Sequence, residues 1–345
     1  MPVTDNDLNH ILEHTEQLWQ KLCGKKIFVT GGTGFFGKWL LESFAWANKQ
    51  LGLKAQMLVL SREPDLFKRR YPHPAKAADV KFHKGDIRNF DFPEGHFDFI
   101  IHAAAEASAK LNTEKPLLMI DTIIEGTRRV LDFARQRKAK RLLFISSGAV
   151  YGRQPPDIPL VSEDYLGAPD STQPVSAYRE GKRLAELLCS IYQAQYGLEA
   201  TIARSFALVG PYLNLDIHFA IGNFIRDGLK GDTINVLGDG SPFRSYLYAA
   251  DLAIWLWTIL LKGQSGWAYN VGSDKEINIA DLALLVSKCF PQHPEVKIAQ
   301  TPVPGKAPER YVPCIDRAKK ELKLHCWIEL DEAIRRTIDF YKSGN

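Results

Sequence analysis

The passage that most constrains this chain runs from an apolar segment, Ile27-Phe28-Val29, through Thr30-Gly31-Gly32-Thr33-Gly34-Phe35-Phe36-Gly37 into a helical pattern that continues to Leu51. A strand that ends in closely spaced glycines and restarts as a helix opens a βαβ unit, because glycine lets the backbone turn sharply and lets helix and strand pack closely. The pattern then repeats. Strand-like runs at Lys26 to Thr30, Gln56 to Leu60, Val80 to His83, Phe97 to His102, Arg141 to Ser146 and Ala200 to Arg204 alternate with helical periodicity at Gly37 to Leu51, Leu117 to Gln136 and Ala177 to Tyr196. Unbroken apolar strands separated by helices predict an α/β chain with a Rossmann-type doubly wound parallel sheet.

Ahead of the first strand, Leu8, Ile11, Leu12, Leu18, Trp19 and Leu22 recur at helical spacing behind Thr4 or Asp5 as N-cap, which predicts an amphipathic helix that packs as an appendage. Beyond Pro211 the regularity falls away, with loop signals at Gly238-Asp239-Gly240-Ser241-Pro242 and Thr301-Pro302-Val303-Pro304-Gly305 and a last helix at Asp331 to Tyr341. The expected organisation is an N-terminal helix over 1–23, a dinucleotide-binding Rossmann domain over 24–205 to which 246–273 returns, and a smaller C-terminal α/β substrate lobe from 206–245 and 274–345.

With 345 residues, 45% hydrophobic and 24% charged, the chain reads as an ordinary globular protein with a large core. No stretch approaches the roughly 18 apolar residues of a membrane span. The start, Met1-Pro2-Val3-Thr4-Asp5, is too acidic and polar for a secretory leader, so the expected compartment is the cytoplasm. The net charge of +4 is mild and the basic residues are interleaved with acids, except at Lys68-Arg69-Arg70 and Arg135 to Arg141. That balance argues against nucleic acid and suits a small phosphate-bearing ligand. Cys23, Cys189, Cys289, Cys314 and Cys326 have no C-x-x-C or metal-like spacing, so they read as reduced thiols with no metal site.

Gly31, Gly34 and Gly37, with strand before and helix after, suit a dinucleotide whose pyrophosphate meets bare backbone and the helix N-terminus. About 24 residues after Gly37 the second strand ends in Ser61-Arg62. No carboxylate stands there to hold a ribose 2′-hydroxyl, and an arginine accommodates a 2′-phosphate, which favours NADP over NAD. Asp86-Ile87 follows the third strand, where the adenine would lie, and Ala103, Ala104 and Ala105 follow the fourth, where small residues let a cofactor cross the sheet edge. Tyr178 and Lys182, four residues apart, share a helix face. Alone such a pair is more often a surface feature. After a glycine turn and a strand ending in Ser146-Ser147 it reads as a proton-transfer group beside a hydride carrier, the ammonium and an oxidised nicotinamide favouring the phenolate.

These residues, with His102-Ala103-Ala104-Ala105, Ser146-Ser147-Gly148-Ala149-Val150-Tyr151-Gly152, Gly238-Asp239-Gly240, Arg244-Ser245-Tyr246 and Tyr269-Asn270-Val271-Gly272, resemble the nucleotide-sugar epimerase/dehydratase branch of the extended short-chain dehydrogenase/reductase family over nearly all of 24–341. The resemblance implies that Ser147 orients the substrate hydroxyl, Tyr178 exchanges its proton and Lys182 holds the nicotinamide ribose. It places Thr33, Phe35, Phe36, Ser146 and the residues already named around the cofactor. It assigns Arg244 to a sugar-nucleotide diphosphate, a task that suits a guanidinium, and puts Glu106, Asn223 and Arg310 at the substrate. For Arg310 an ion pair with Glu309 or Asp316 is the competing reading.

The sequence departs from the family where 4,6-dehydratases carry Asp-Glu and nucleotide-sugar decarboxylases a Glu, since here Gly148 and Ala149 offer no proton. Elimination would have to rely on Glu106 or Glu180. The family's Asn-x-x-Gly-Thr reads Ile123-Ile124-Glu125-Gly126-Thr127, and its Arg-x-Phe-Asn reads Arg204-Ser205-Phe206-Ala207. The resemblance therefore points to an NAD(P)-dependent C4 epimerase or 4-ketoreductase acting on a nucleoside-diphosphate hexose, in the setting of cell-surface polysaccharide biosynthesis. A 4,6-dehydratase, another nucleotide-sugar rearrangement and a non-catalytic nucleotide-binding regulator are the alternatives. Family members commonly dimerise through the helices corresponding to 117–136 and 177–196, and Leu184, Leu187, Leu188, Ile191 and Tyr192 supply apolar surface for a homodimer.

Overall fold

The computed structural model describes residues 2–75, 77–104, 109–217 and 219–343. The chain divides into two compact units, Met1–Val150 with Pro169–Arg204 and Ala253–Tyr269, and Tyr151–Ala168 with Ser205–Leu252 and Asn270–Asn345.

The sheet-bearing part runs α1 (Asp5–Trp19), β1 (Lys26–Thr30), α2 (Phe35–Leu51), β2 (Gln56–Ser61), α3 (Pro64–Arg70), α4 (Pro72–Ala75), β3 (Val80–Lys84), β4 (Phe99–His102), α5 (Ala109–Glu114), α6 (Pro116–Gln136), β5 (Arg141–Ser147), α7 (Ala177–Tyr196) and β6 (Glu199–Ser205). The strands stand in the order β3-β2-β1-β4-β5-β6, with Ala268–Val271 completing a seven-stranded sheet. Neighbours from β3 to β5 are parallel, so the doubly wound sheet expected from the apolar runs is present. Strand order reverses between β1 and β4. Folds of this kind take ligands at the carboxyl ends of the strands where the order reverses.

Aromatic packing fixes one face of that sheet. Phe28 on β1 lies 4.6 Å from Phe133 of α6, 5.6 Å from Phe90 and 5.7 Å from Phe97, centroid to centroid. Each such buried ring contributes about 1.5–3 kcal/mol. Thr4, rather than Asp5, caps α1 by accepting from the Asp7 N–H (3.2 Å). The buried stripe of α1 ends in Trp19, which packs against Trp257 at 4.8 Å, and the final turn, Gln20–Leu22, tightens into a 3-10 helix. α6 and α7 approach closely at Gly181, where a Cβ would lie 3.2 Å from Ile123.

Later elements are β7 (Leu208–Val209), α8 (Ala220–Lys230), β8 (Ile234–Val236), β9 (Phe243–Arg244), β10 (Leu247–Tyr248), α9 (Ala249–Lys262), β11 (Ala268–Val271), β12 (Ile277–Asn278), α10 (Ile279–Lys288), β13 (Val296–Ile298), β14 (Arg310–Tyr311), α11 (Asp316–Leu322) and α12 (Leu330–Ser343). This stretch is more regular than its sequence suggests. α9 is buried from Ala249 through Leu261, and a helix that is apolar all round carries no 3.6-residue stripe by which to recognise it. Among the described residues no helix is long and apolar enough to cross a membrane, and no cluster of His, Cys, Asp or Glu side chains is arranged to hold a metal ion.

Candidate active site

The glycine turn is built by backbone packing. Gly31 has φ of +71°, and a Cβ on it would stand 2.6 Å from the carbonyl carbon and oxygen of Ala103. A Cβ on Gly37 would stand 2.3 Å from Gly32, which itself rests on Val59. The Gly34 N–H donates to the Gly31 carbonyl (3.0 Å) and caps α2. Side chains would fill this cradle. Without them, backbone and the start of α2 are open to an anion, which fits a dinucleotide pyrophosphate. Thr33 is half-buried, and Phe35 and Phe36 pack ring edge to face at 5.8 Å on the first turn of α2.

Behind the turn, three buried side chains tie β1, β4 and α6 together. His102 Nδ1 meets Thr30 Oγ1 at 2.8 Å and its Nε2 meets Thr127 Oγ1 at 3.0 Å. Burial, assisted by the charge of Lys182, brings the His102 pKa down to about 3, so the ring is neutral. Ala103 and Ala104 donate to the Thr30 carbonyl (3.1 Å) and hydroxyl (3.2 Å), which seats them at the switch point. Ala105 and Glu106 lie outside the described residues.

At the ends of β2 and β3, Ser61 is buried and accepts from the Glu63 N–H (3.2 Å), while Arg62 is exposed. Arg88 clasps Asp86 with two bonds of 2.9 and 3.2 Å and holds its carboxyl below the usual range, and Arg62 adds to the effect. Asp86 is thus already engaged by an arginine two residues on. Ile87 is buried against Gly126 of α6.

β5 delivers Ser147, and the first turns of α7 deliver Tyr178 and Lys182. The Tyr178 N–H donates to Asn112 Oδ1 (3.0 Å). Burial pushes its phenol pKa up, and the Ser147 hydroxyl beside it acts the other way. The phenolate expected beside an ammonium is therefore not favoured by these side chains. Lys182 Nζ instead donates to the Ile145 carbonyl (2.7 Å) and lies 4.8 Å from the centre of the Phe144 ring. Burial brings its pKa down to about 8, opposed mainly by Glu186.

Ser146 turns its hydroxyl to Glu186 Oε1 (2.5 Å). Glu186 also takes Arg204 Nη2 at 2.7 Å. Sequence reasoning missed this network, whose one signal was an acid four residues beyond Lys182 in an otherwise apolar stretch. Gly148 and Ala149 sit in the 3-10 turn Gly148–Tyr151 after β5, and Glu180 pairs with Arg183 at 3.4 Å.

In the second unit, β9 and β14 pair in parallel with Arg310 opposite Phe243 and Tyr311 opposite Arg244. The Arg244 guanidinium donates to the Phe243 carbonyl (2.8 Å) and lies 3.9 Å from Glu309. Arg310 covers the Phe243 ring at 4.7 Å and pairs with Glu276, rather than with the Glu309 or Asp316 that its sequence neighbourhood suggested. Asn223 on α8 faces the carbonyls of Leu215 and Ile217, to which its amide nitrogen donates (3.0 and 2.9 Å) once the amide oxygen and nitrogen are exchanged.

Sheet order, glycine cradle and switch-point alanines together define a Rossmann-type dinucleotide-binding protein. A profile of the NAD dependent epimerase/dehydratase family matches residues 27–272, and the chain belongs to that family. It is 31% identical to UDP-glucuronic acid decarboxylase 6 of Arabidopsis thaliana over 313 residues, 90% of this chain and 86% of that one. It is 28% identical to UDP-glucuronic acid decarboxylase 1 of Xenopus tropicalis over 92% of this chain and 72% of that one. Among solved structures, UDP-glucose 4-epimerase of Thermus thermophilus in complex with NAD superposes with a TM-score of 0.76 at 25% identity, covering 93% of this chain and 100% of that one.

Proposed function

We propose that this protein is an NAD(P)-dependent enzyme that moves hydride at C4 of a nucleoside-diphosphate hexose, as a C4 epimerase or a 4-ketoreductase. Ser147 at the end of β5 beside the Tyr178 phenol, with buried Lys182 one turn on, carries this reading. Tyr178 accepts the proton of the C4 hydroxyl, or returns it, and Ser147 aligns that oxygen. A dinucleotide held by its pyrophosphate at the glycine turn would supply the hydride acceptor or donor. Lys182 donates to its ribose. Arg244 and Arg310 are suited to the diphosphate of the substrate, and Asn223 lies on the helix we assign to the sugar nucleotide. Exposed Arg62 supports acceptance of NADP as well as NAD, with NADP favoured. A second copy of this chain is the partner proposed for α6 and α7, and the five thiols, free of disulfides, support a cytoplasmic setting.

The decarboxylases among the relatives favour a second reading. Oxidation at C4 of a nucleotide-linked hexuronic acid gives a β-keto acid. Its C5–C6 bond breaks, CO2 leaves, and the electron pair passes to the C4 carbonyl; the resulting enol takes a proton at C5. Loss of CO2 needs a proton for C5 but none for the leaving group, whereas loss of water from C5 and C6 needs a donor for the leaving hydroxyl as well, and Gly148 and Ala149 supply neither.

A panel of UDP-, GDP-, CDP- and dTDP-linked hexoses and UDP-glucuronic acid, analysed by mass spectrometry and NMR, separates these readings. The expected product has an altered C4 centre and an unchanged carbon skeleton. CO2 release from the uronic acid would move the assignment to decarboxylation, and efficient formation of a 4-keto-6-deoxy sugar would overturn both.

A further inference from the structure

Two buried charges near Lys182 have no part in the chemistry above. Glu186 lies one turn beyond Lys182 on the same face of α7 and is only 8% exposed. Both of its oxygens are occupied: Oε1 accepts from Ser146 Oγ (2.5 Å) and Arg204 Nε (3.1 Å), and Oε2 accepts from Arg204 Nε (3.2 Å) and Nη2 (2.7 Å). β5, β6 and α7 meet at this one carboxylate, between the strand that ends in Ser147 and the helix that carries Lys182.

The other titratable groups that bear on Lys182 are uncharged near neutral pH. Burial brings His102 of β4 to about 3, burial raises the Cys189 thiol of α7, and burial raises the Tyr178 phenol. On β5, Lys182 meets a carbonyl and an aromatic ring. Among the described residues, Glu186 is the carboxylate that favours the charged ammonium, and Arg204 is bound to that carboxylate.

We infer that Glu186 is a positioning residue that keeps the Lys182 ammonium protonated for its bond to the cofactor ribose, with Arg204 and Ser146 holding the carboxylate in place. The inference rests on the reading that Lys182 holds the cofactor. A purely structural role, pinning α7 to the sheet, would predict loss of stability in every variant with no directed change in proton affinity.

The two partners give opposite signs. Glu186→Gln removes the negative charge and leaves a permanently charged guanidinium nearby, so Lys182 gives up its proton at lower pH. Arg204→Met removes the guanidinium and leaves the carboxylate facing Lys182, so the proton is held to higher pH. The readout is the dissociation constant of NAD, measured by isothermal titration calorimetry from about pH 6 to pH 10, a window that brackets a lysine lowered by burial. For the wild type, affinity should fall as pH rises through about 8, where Lys182 loses its proton. In Glu186→Gln this fall should move down by on the order of one pH unit, in Arg204→Met it should move up, and Glu186→Asp should return toward the wild type.

The inference is overturned if both variants move the fall in the same direction, if neither moves it, or if wild-type affinity does not change with pH. Lys182→Met separates this outcome from failure of the underlying reading. If Lys182→Met binds NAD as tightly as the wild type, the role of Lys182 itself is wrong. If it binds weakly while the Glu186 and Arg204 variants track the wild type, only the role of Glu186 is wrong. Should Glu186→Gln fail to fold, the direction of change in Arg204→Met decides alone.

Discussion

Gly31 lies against Ala103 so closely that a Cβ carbon on Gly31 would stand 2.6 Å from the Ala103 carbonyl carbon, at a backbone φ of +71°. The loops after β1 and β4 therefore touch through backbone alone. Gly31→Ala should cost at least about 1 kcal/mol from left-handed strain, before the clash with Ala103 is counted. It should also weaken NAD binding, because the turn must shift to admit the methyl group. Urea denaturation and calorimetric titration check both effects, and a variant with unchanged midpoint and affinity would show that the close approach is dispensable.

Tyr178→Phe keeps the ring that packs at the start of α7 and removes the hydroxyl proposed to exchange the substrate proton. Turnover should fall by on the order of 100-fold or more, as for loss of a general acid-base group, while NAD affinity stays near the wild-type value. Steady-state rates and binding titrations measure the two separately. Near-full activity in the Phe variant would place the proton transfer elsewhere.

Arg62 stands exposed at the end of β2, and its charge reaches Asp86 at the end of β3. Part of its field is therefore taken up by that carboxylate, along with Arg88. Arg62→Ala should weaken NADP more than NAD, by on the order of 1–3 kcal/mol if the guanidinium meets the 2′-phosphate. Equal losses for the two cofactors would remove Arg62 from cofactor selection.

The apolar residues of α7 divide between two environments. Leu188 and Tyr192 are buried in the core of their own subunit, at 5% and 6% exposure, and cannot form a dimer surface as the helical spacing suggested. Leu184 and Leu187 remain exposed at 39% and 53%, as does Leu117 on α6 at 76%. Leu187→Glu should leave the fold intact, since the residue faces solvent, and should convert a homodimer to monomer in light scattering. A wild-type mass equal to one chain at all concentrations would rule out that partner.

Much of the site was legible before any coordinates. The glycines at 31, 34 and 37 announced the turn because backbone conformation and close approach are local demands that few residues meet. Tyr178 and Lys182 were recognisable because helical spacing alone sets them on one face. For the Tyr178 phenol the protein's own side chains act mainly through burial, which raises its pKa and which spacing does not encode. Arg310 illustrates the same limit: its partner Glu276 lies 34 positions away and reaches it only when β14 pairs with β9.

Periodicity and chain-local backbone requirements thus determined the order of strands and helices, the glycine turn and the placement of Tyr178 and Lys182 on one helix face. Tertiary structure alone decided the burial of α9, the neutral His102 between Thr30 and Thr127, and the meeting of Ser146, Glu186 and Arg204 beside Lys182. The physical reason is that the charge state of a buried group is set by desolvation and by partners far away in the chain. Those exist only once the sheet has closed and its helices have packed.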